Sequence, residues 1–116
     1  MVSQRKEVLG RFKMIELVEK QRGRLDELCR DYRVKRLELF GSAIDPARFE
    51  QGTSDLDFIV EFQPMSPGEH AKAYLTLLER LQDLFGLSID LVEIKAVDNP
   101  YLLESINETR SPIYAA

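Results

Sequence analysis

Asp55-Leu56-Asp57-Phe58-Ile59-Val60-Glu61-Phe62 alternates between acid and apolar residue at every position but Ile59. Successive side chains of an extended chain point to opposite sides, so Leu56, Phe58, Val60 and Phe62 share one face and Asp55, Asp57, Ile59 and Glu61 share the other. The stretch predicts a strand with an apolar core face and a second face that carries acids. Asp55 and Asp57 lie two positions apart on that second face. Their Cα atoms are about 6.4–6.8 Å apart, which lets both carboxylates reach one cation. Taken singly, alternate acids on a strand also serve simply to keep an exposed face solvated.

Towards the N-terminus, Val34-Lys35-Arg36-Leu37-Glu38-Leu39-Phe40 is short and alternating, and it runs directly into Gly41-Ser42. It reads as a strand ending in a turn. The following stretch, Ala43 to Ser54, contains Pro46 and Gly52 and no periodicity, so it reads as loop. A connection with so little regular structure favours antiparallel pairing of these two strands, with an unusual crossover as the alternative at this length; antiparallel pairing brings Gly41-Ser42 beside Asp55 and Asp57.

Towards the C-terminus, Ser66-Pro67-Gly68-Glu69 carries a helix start, with Ser66 as N-cap and Pro67 at the first helical position. Ala71, Tyr74, Leu75, Leu78, Leu81, Leu84 and Phe85 then keep helical spacing until Gly86, which suits the left-handed residue after a helix end. Leu87 to Ile94 forms a third strand, with Leu87, Ile89 and Leu91 on one face and Asp90 on the other. A full helix between the second and third strands fits a right-handed crossover, so these strands run parallel and Asp90 can join the first two acids. Asn99-Pro100 opens a short helix to about Asn107, and Ser111-Pro112-Ile113-Tyr114 reads as a terminal edge strand, where proline is tolerated.

Ahead of all this, Val8, Phe12, Ile15, Val18, Leu25, Leu28, Cys29 and Tyr32 fall at helical spacings, with a break expected near Gly23. Cys29 lies on the apolar stripe and reads as core. His70, in the first turn of its helix and with no second histidine, reads as an exposed helix residue, and Glu61 and Glu93 read as surface acids. The expected fold class is α/β, of the α+β kind: a small mixed sheet of three main strands packed by helices. The whole chain, residues 1–116, reads as one domain with a helical segment over 3–32, a core over 34–94 and a helix and tail over 99–116.

Composition narrows the function. The 116 residues hold 16 basic and 20 acidic side chains, one cysteine, 44% hydrophobic and 31% charged residues. Those values are ordinary for a globular domain, and no stretch approaches the ~18 apolar residues of a membrane span. The first residues are charged and helix-like, so a reducing cytoplasm is the expected compartment. Residues 1–36 hold 11 basic and 6 acidic side chains, a net of +5, whereas the remainder holds 5 and 14, a net of −9. The positive charges are interspersed with acids on helices and lack stacking aromatics, which argues against nucleic acid as a partner.

Three converging carboxylates repel one another unless a divalent ion offsets the repulsion, and hard oxygen ligands select Mg²⁺ or Mn²⁺ over Zn²⁺. Leu39-Phe40-Gly41-Ser42, Ser54-Asp55-Leu56-Asp57-Phe58-Ile59-Val60 and Ile89-Asp90-Leu91-Val92 together resemble the minimal nucleotidyltransferases of the DNA polymerase beta superfamily. The resemblance runs from the helix before Gly41 to Ile113-Tyr114. It implies a polymerase-beta-like palm in which Asp55, Asp57 and Asp90 are catalytic and bind two Mg²⁺ ions, with Gly41 and Ser42 holding the phosphates of ATP. It also implies an antitoxin paired with an all-helical HEPN-domain toxin, onto a tyrosine of which AMP is transferred.

Twelve residues, Ala43 to Ser54, separate Gly41-Ser42 from Asp55, two more than the family's common spacing. The basic residue and glycine that often follow Gly-Ser are replaced by Ala43-Ile44-Asp45-Pro46, which leaves Arg48 as the candidate positive charge for the nucleotide. Three outcomes stay open. The chain is a transferase acting on a protein partner, an antitoxin that neutralises its toxin by docking alone, or a small-molecule adenylyltransferase, the last expected to need a second domain. A catalytic face open on one side implies a partner chain or a homo-oligomer.

Overall fold

The computed structural model describes residues 16–41 and 56–116. Helix α1 (Arg22–Asp31) follows helical residues 16–20 after a turn at Gln21, and it buries Leu25, Leu28 and Cys29. The break therefore falls two residues before Gly23. Strands β1 (Val34–Phe40) and β2 (Leu56–Phe62) come next, then helix α2 (Pro67–Phe85), strand β3 (Ile89–Glu93), a 3₁₀ turn over Ile94–Ala96, helix α3 (Pro100–Thr109) and strand β4 (Ser111–Ala115).

The helix ends follow from local chemistry. At the start of α2 the Ser66 hydroxyl oxygen accepts from the Glu69 N–H, Pro67 occupies the first turn, and Gly86 closes the helix at φ 63°. At the start of α3 the Asn99 side chain accepts from the N–H groups of Tyr101 and Leu102. Each cap satisfies donors that the helix itself leaves open. The helix runs to Thr109, two residues beyond the expected end.

The sheet has four strands in the order β3-β2-β1-β4. β1 is antiparallel to both β2 and β4, and β2 is parallel to β3 across the α2 crossover. The expected edge strand thus forms and makes β1 a central strand. Leu37, Leu39, Leu56, Phe58, Val60 and Ile113 face α1 and α2, where they pack with Leu25, Leu28, Leu77, Leu81 and Phe85. Full burial of such side chains contributes about 1.5–3 kcal/mol each.

The opposite face is not simply an acidic face. Phe40 and Ile59 form a second buried cluster there with Ile106 of α3, and Val92, Ile94 and Val97 pack around it. Alternation places Ile59 on the same side as the acids, and α3 covers that part of the face. Glu38, also on this side, is 4% exposed, and its carboxylate accepts two hydrogen bonds from Arg110 at 2.8 and 2.9 Å. Cys29 is buried, and burial followed by the nearby Asp26 charge pushes its thiol up to about 12, far from a reactive thiolate.

Candidate active site

β1 delivers Gly41 to one end of the sheet, directly beside the start of β2. Phe40 pairs with Asp57 in the β1/β2 register, and Asp57 pairs with Asp90 in the β2/β3 register. Registered neighbours in a sheet project to the same face, and adjacent strands lie about 4.7–4.9 Å apart. Asp57 and Asp90 therefore stand side by side on the α3 side of the sheet. Asp57 is 8% exposed at the margin of the Phe40–Ile59–Ile106 cluster, whereas Asp90 is open to solvent.

Gly41 has φ +75°, a conformation that side-chain-bearing residues rarely adopt. A Cβ placed there would lie 2.7 Å from Asp57 Oδ2. The Gly41 backbone thus rests against the Asp57 carboxylate, an approach that a Cβ would obstruct. Its N–H donates to Thr109 Oγ1 at 3.0 Å, and the same hydroxyl donates to the Ser105 carbonyl at 2.8 Å.

Of the six candidate site residues, Gly41, Asp57 and Asp90 are brought to this one end of the sheet. Ser42, Arg48 and Asp55 lie outside the described residues. Among the described residues no three His, Cys, Asp or Glu side chains form a metal-holding group. The described donors nevertheless suit a hard divalent cation. Two carboxylates in register at the sheet end offer the hard oxygen ligands that such an ion prefers.

Sequence reasoning missed two features near these strands. His70 is half-buried: its Nε2 contacts Glu93 Oε1, and its ring lies 5.3 Å from that of Phe62. The pair borders a 300 Å³ cavity with Glu61 and Lys95, towards the C-terminal ends of β2 and β3 and away from Asp57 and Asp90. Glu93 is thus a partner of His70 rather than a plain surface acid. Thr109 is the other missed residue. Nothing in the local pattern around it signals a role, because its partner Gly41 is 68 positions away.

A model of the nucleotidyltransferase domain matches residues 18–112. Two proteins of Methanocaldococcus jannaschii, each named "Putative protein adenylyltransferase", are similar to the chain. One is 39% identical over 77 residues, covering 66% of this chain and 74% of that protein; the other is 35% identical over 95 residues, covering 80% and 90%. Among solved structures, a chain from a toxin–antitoxin complex with AMP-PNP superposes with a TM-score of 0.58 at 18% identity, covering 82% of this chain and 73% of that one. A chain from the complex of the tri-AMPylated Shewanella oneidensis HEPN toxin with its MNT antitoxin gives 0.58 at 17% identity, covering 85% and 73%. At such identities the structural likeness concerns the fold. Among the described residues no helix is long and apolar enough to cross a membrane.

Proposed function

The chain belongs to the nucleotidyltransferase domain family, and on that premise we propose that it transfers AMP from ATP to a hydroxyl of a partner protein, a tyrosine of an all-helical HEPN-domain toxin. The observation that carries this reading is the row Gly41, Asp57, Asp90 across three strands at one end of the sheet. The names of the archaeal relatives support a protein acceptor, and the AMPylated HEPN toxin bound to a protein of this fold supports its identity.

In the proposed reaction the acceptor oxygen bonds to the α-phosphorus of ATP, the bond from that phosphorus to the bridging oxygen breaks, and pyrophosphate leaves. Asp57 and Asp55 would hold two Mg²⁺ ions, with Asp90 completing the site on the acceptor side. When bound, such ions neutralise phosphate charge and acidify the attacking hydroxyl. Asp90, the solvent-open carboxylate, would receive the hydroxyl proton. Gly41 lets the chain pass close to the phosphates because it has no Cβ, Ser42 supplies hydrogen-bond donors to their oxygens, and Arg48 offsets their charge.

Asp57→Asn keeps the shape of the side chain and removes its charge. Incubated with labelled ATP, Mg²⁺ and the helical partner, the wild-type chain is expected to label the partner, whereas the folded variant loses labelling by at least a hundredfold. Full labelling by Asp57→Asn would refute the assignment. Partner binding by the wild type without any labelling would favour an antitoxin that acts by docking alone, the reading that the lengthened stretch from Ala43 to Ser54 favours.

A further inference from the structure

Gly41 is under two opposed demands. Its backbone has to hold one position, because its Cα rests against the Asp57 carboxylate at a distance where a Cβ would collide at 2.7 Å. Yet glycine has the widest conformational freedom of any residue, and nothing in its own chemistry holds φ at +75°. β1 ends at Phe40, so the Gly41 N–H leaves the ladder and needs a partner elsewhere.

Thr109 supplies that partner. Its side chain, at the last position of α3, is 4% exposed, and its hydroxyl accepts from the Gly41 N–H while donating to the Ser105 carbonyl. The donation to Ser105 orients the hydroxyl and turns a lone pair towards Gly41. The helix behind it is itself fixed. Ile106 is fully buried against Phe40 and Ile59, and one residue past Thr109 the Arg110 guanidinium grips Glu38 of β1.

We propose that Thr109 is a positioning residue for nucleotide binding: its buried hydroxyl clamps the Gly41 peptide so that this glycine meets the phosphates of the incoming nucleotide in one orientation beside Asp57. This rests on the nucleotide-transfer reading given above. Without the clamp, Gly41 must be ordered when the nucleotide arrives, and that cost falls on affinity.

The test compares the full wild-type chain with Thr109→Val, which keeps the shape and deletes the hydroxyl, and Thr109→Ser, which keeps the hydroxyl. Three quantities are read: hydrogen exchange of the Gly41 amide in the free protein, the Kd for a non-hydrolysable ATP analogue with Mg²⁺, and KM for ATP against kcat. For Thr109→Val we expect Gly41 exchange, Kd and KM each to rise about tenfold, the size of one lost buried hydrogen bond, with kcat changed by less than about threefold. Thr109→Ser should return all three to within about threefold of wild type. Thr109→Ala serves in its place should the valine variant not fold. A lowered melting temperature with an unchanged Kd would make Thr109 merely structural and overturn the proposal alone. A wild-type chain that binds no nucleotide would overturn the transfer reading and the proposal with it.

Discussion

Gly41 is the residue at which backbone conformation and site chemistry meet. Its φ of +75° and the 2.7 Å approach to Asp57 Oδ2 that a Cβ would make mean that another side chain fits only if something shifts. Gly41→Ala must either push the Asp57 carboxylate aside or abandon the left-handed conformation, at a cost of about 1–3 kcal/mol. The expected outcome is a lower urea midpoint together with a loss of adenylyl transfer larger than the loss of folded protein. Transfer that merely tracked the folded fraction would show that the contact has no bearing on the site. That a glycine stands at the end of β1 is legible in the sequence, since Gly41-Ser42 follows an alternating strand. Its contact with Asp57 required the observed register of β1 with β2.

Among the elements, α3 does more than cover apolar surface. It seals the Phe40–Ile59 cluster with Ile106, and its end leads into Arg110, which donates to both oxygens of the buried Glu38 carboxylate. That hydrogen bonding, then the Arg110 charge, holds the Glu38 carboxyl below its ordinary range despite the opposing effect of burial. A carboxyl depressed in the folded state adds stability that is complete above its unfolded pKa and is lost as pH falls through the folded one. Arg110→Met leaves the buried carboxylate unpaired, at a cost of about 3–5 kcal/mol near pH 7. Urea unfolding should show that deficit shrinking as pH falls, because the unpaired buried carboxyl of the folded variant takes up its proton at a higher pH than the paired wild-type carboxyl does. A deficit independent of pH would contradict the ion pair. At the sheet edge, the Leu56 N–H bonds to the Ser88 carbonyl, so by alternation the Leu91 carbonyl faces outward, where the Tyr74 hydroxyl donates to it at 2.5 Å. Burial first, then the charges of Asp90 and Glu93, raise the Tyr74 phenol above its ordinary range and keep it a donor.

At the scale of the molecule, helices cover both sheet faces, and Gly41, Asp57 and Asp90 gather at one end. A ligand bound there only in the folded state should stabilise the whole domain by mass action, by about 2.7 kcal/mol at a hundred times its Kd. An ATP analogue with Mg²⁺ is thus expected to raise the melting temperature by several degrees. The double variant Asp57→Asn, Asp90→Asn should abolish the rise, and an equal rise in that variant would place the nucleotide elsewhere. By itself the sequence determined the strands of the core, the caps and stop of α2 and the parallel pairing across it, and it favoured the antiparallel pairing that gathers Gly41, Asp57 and Asp90. Periodicity, capping and connection type are properties of short stretches, and a two-residue strand period leaves little freedom in which face an acid takes. Only the tertiary structure decided that α3 covers Ile59, that His70 meets Glu93, that Arg110 grips Glu38 and that Thr109 clamps Gly41. The last two join residues 72 and 68 positions apart. Such contacts arise from how a helix seats on a finished sheet, and no local pattern of residues carries that information.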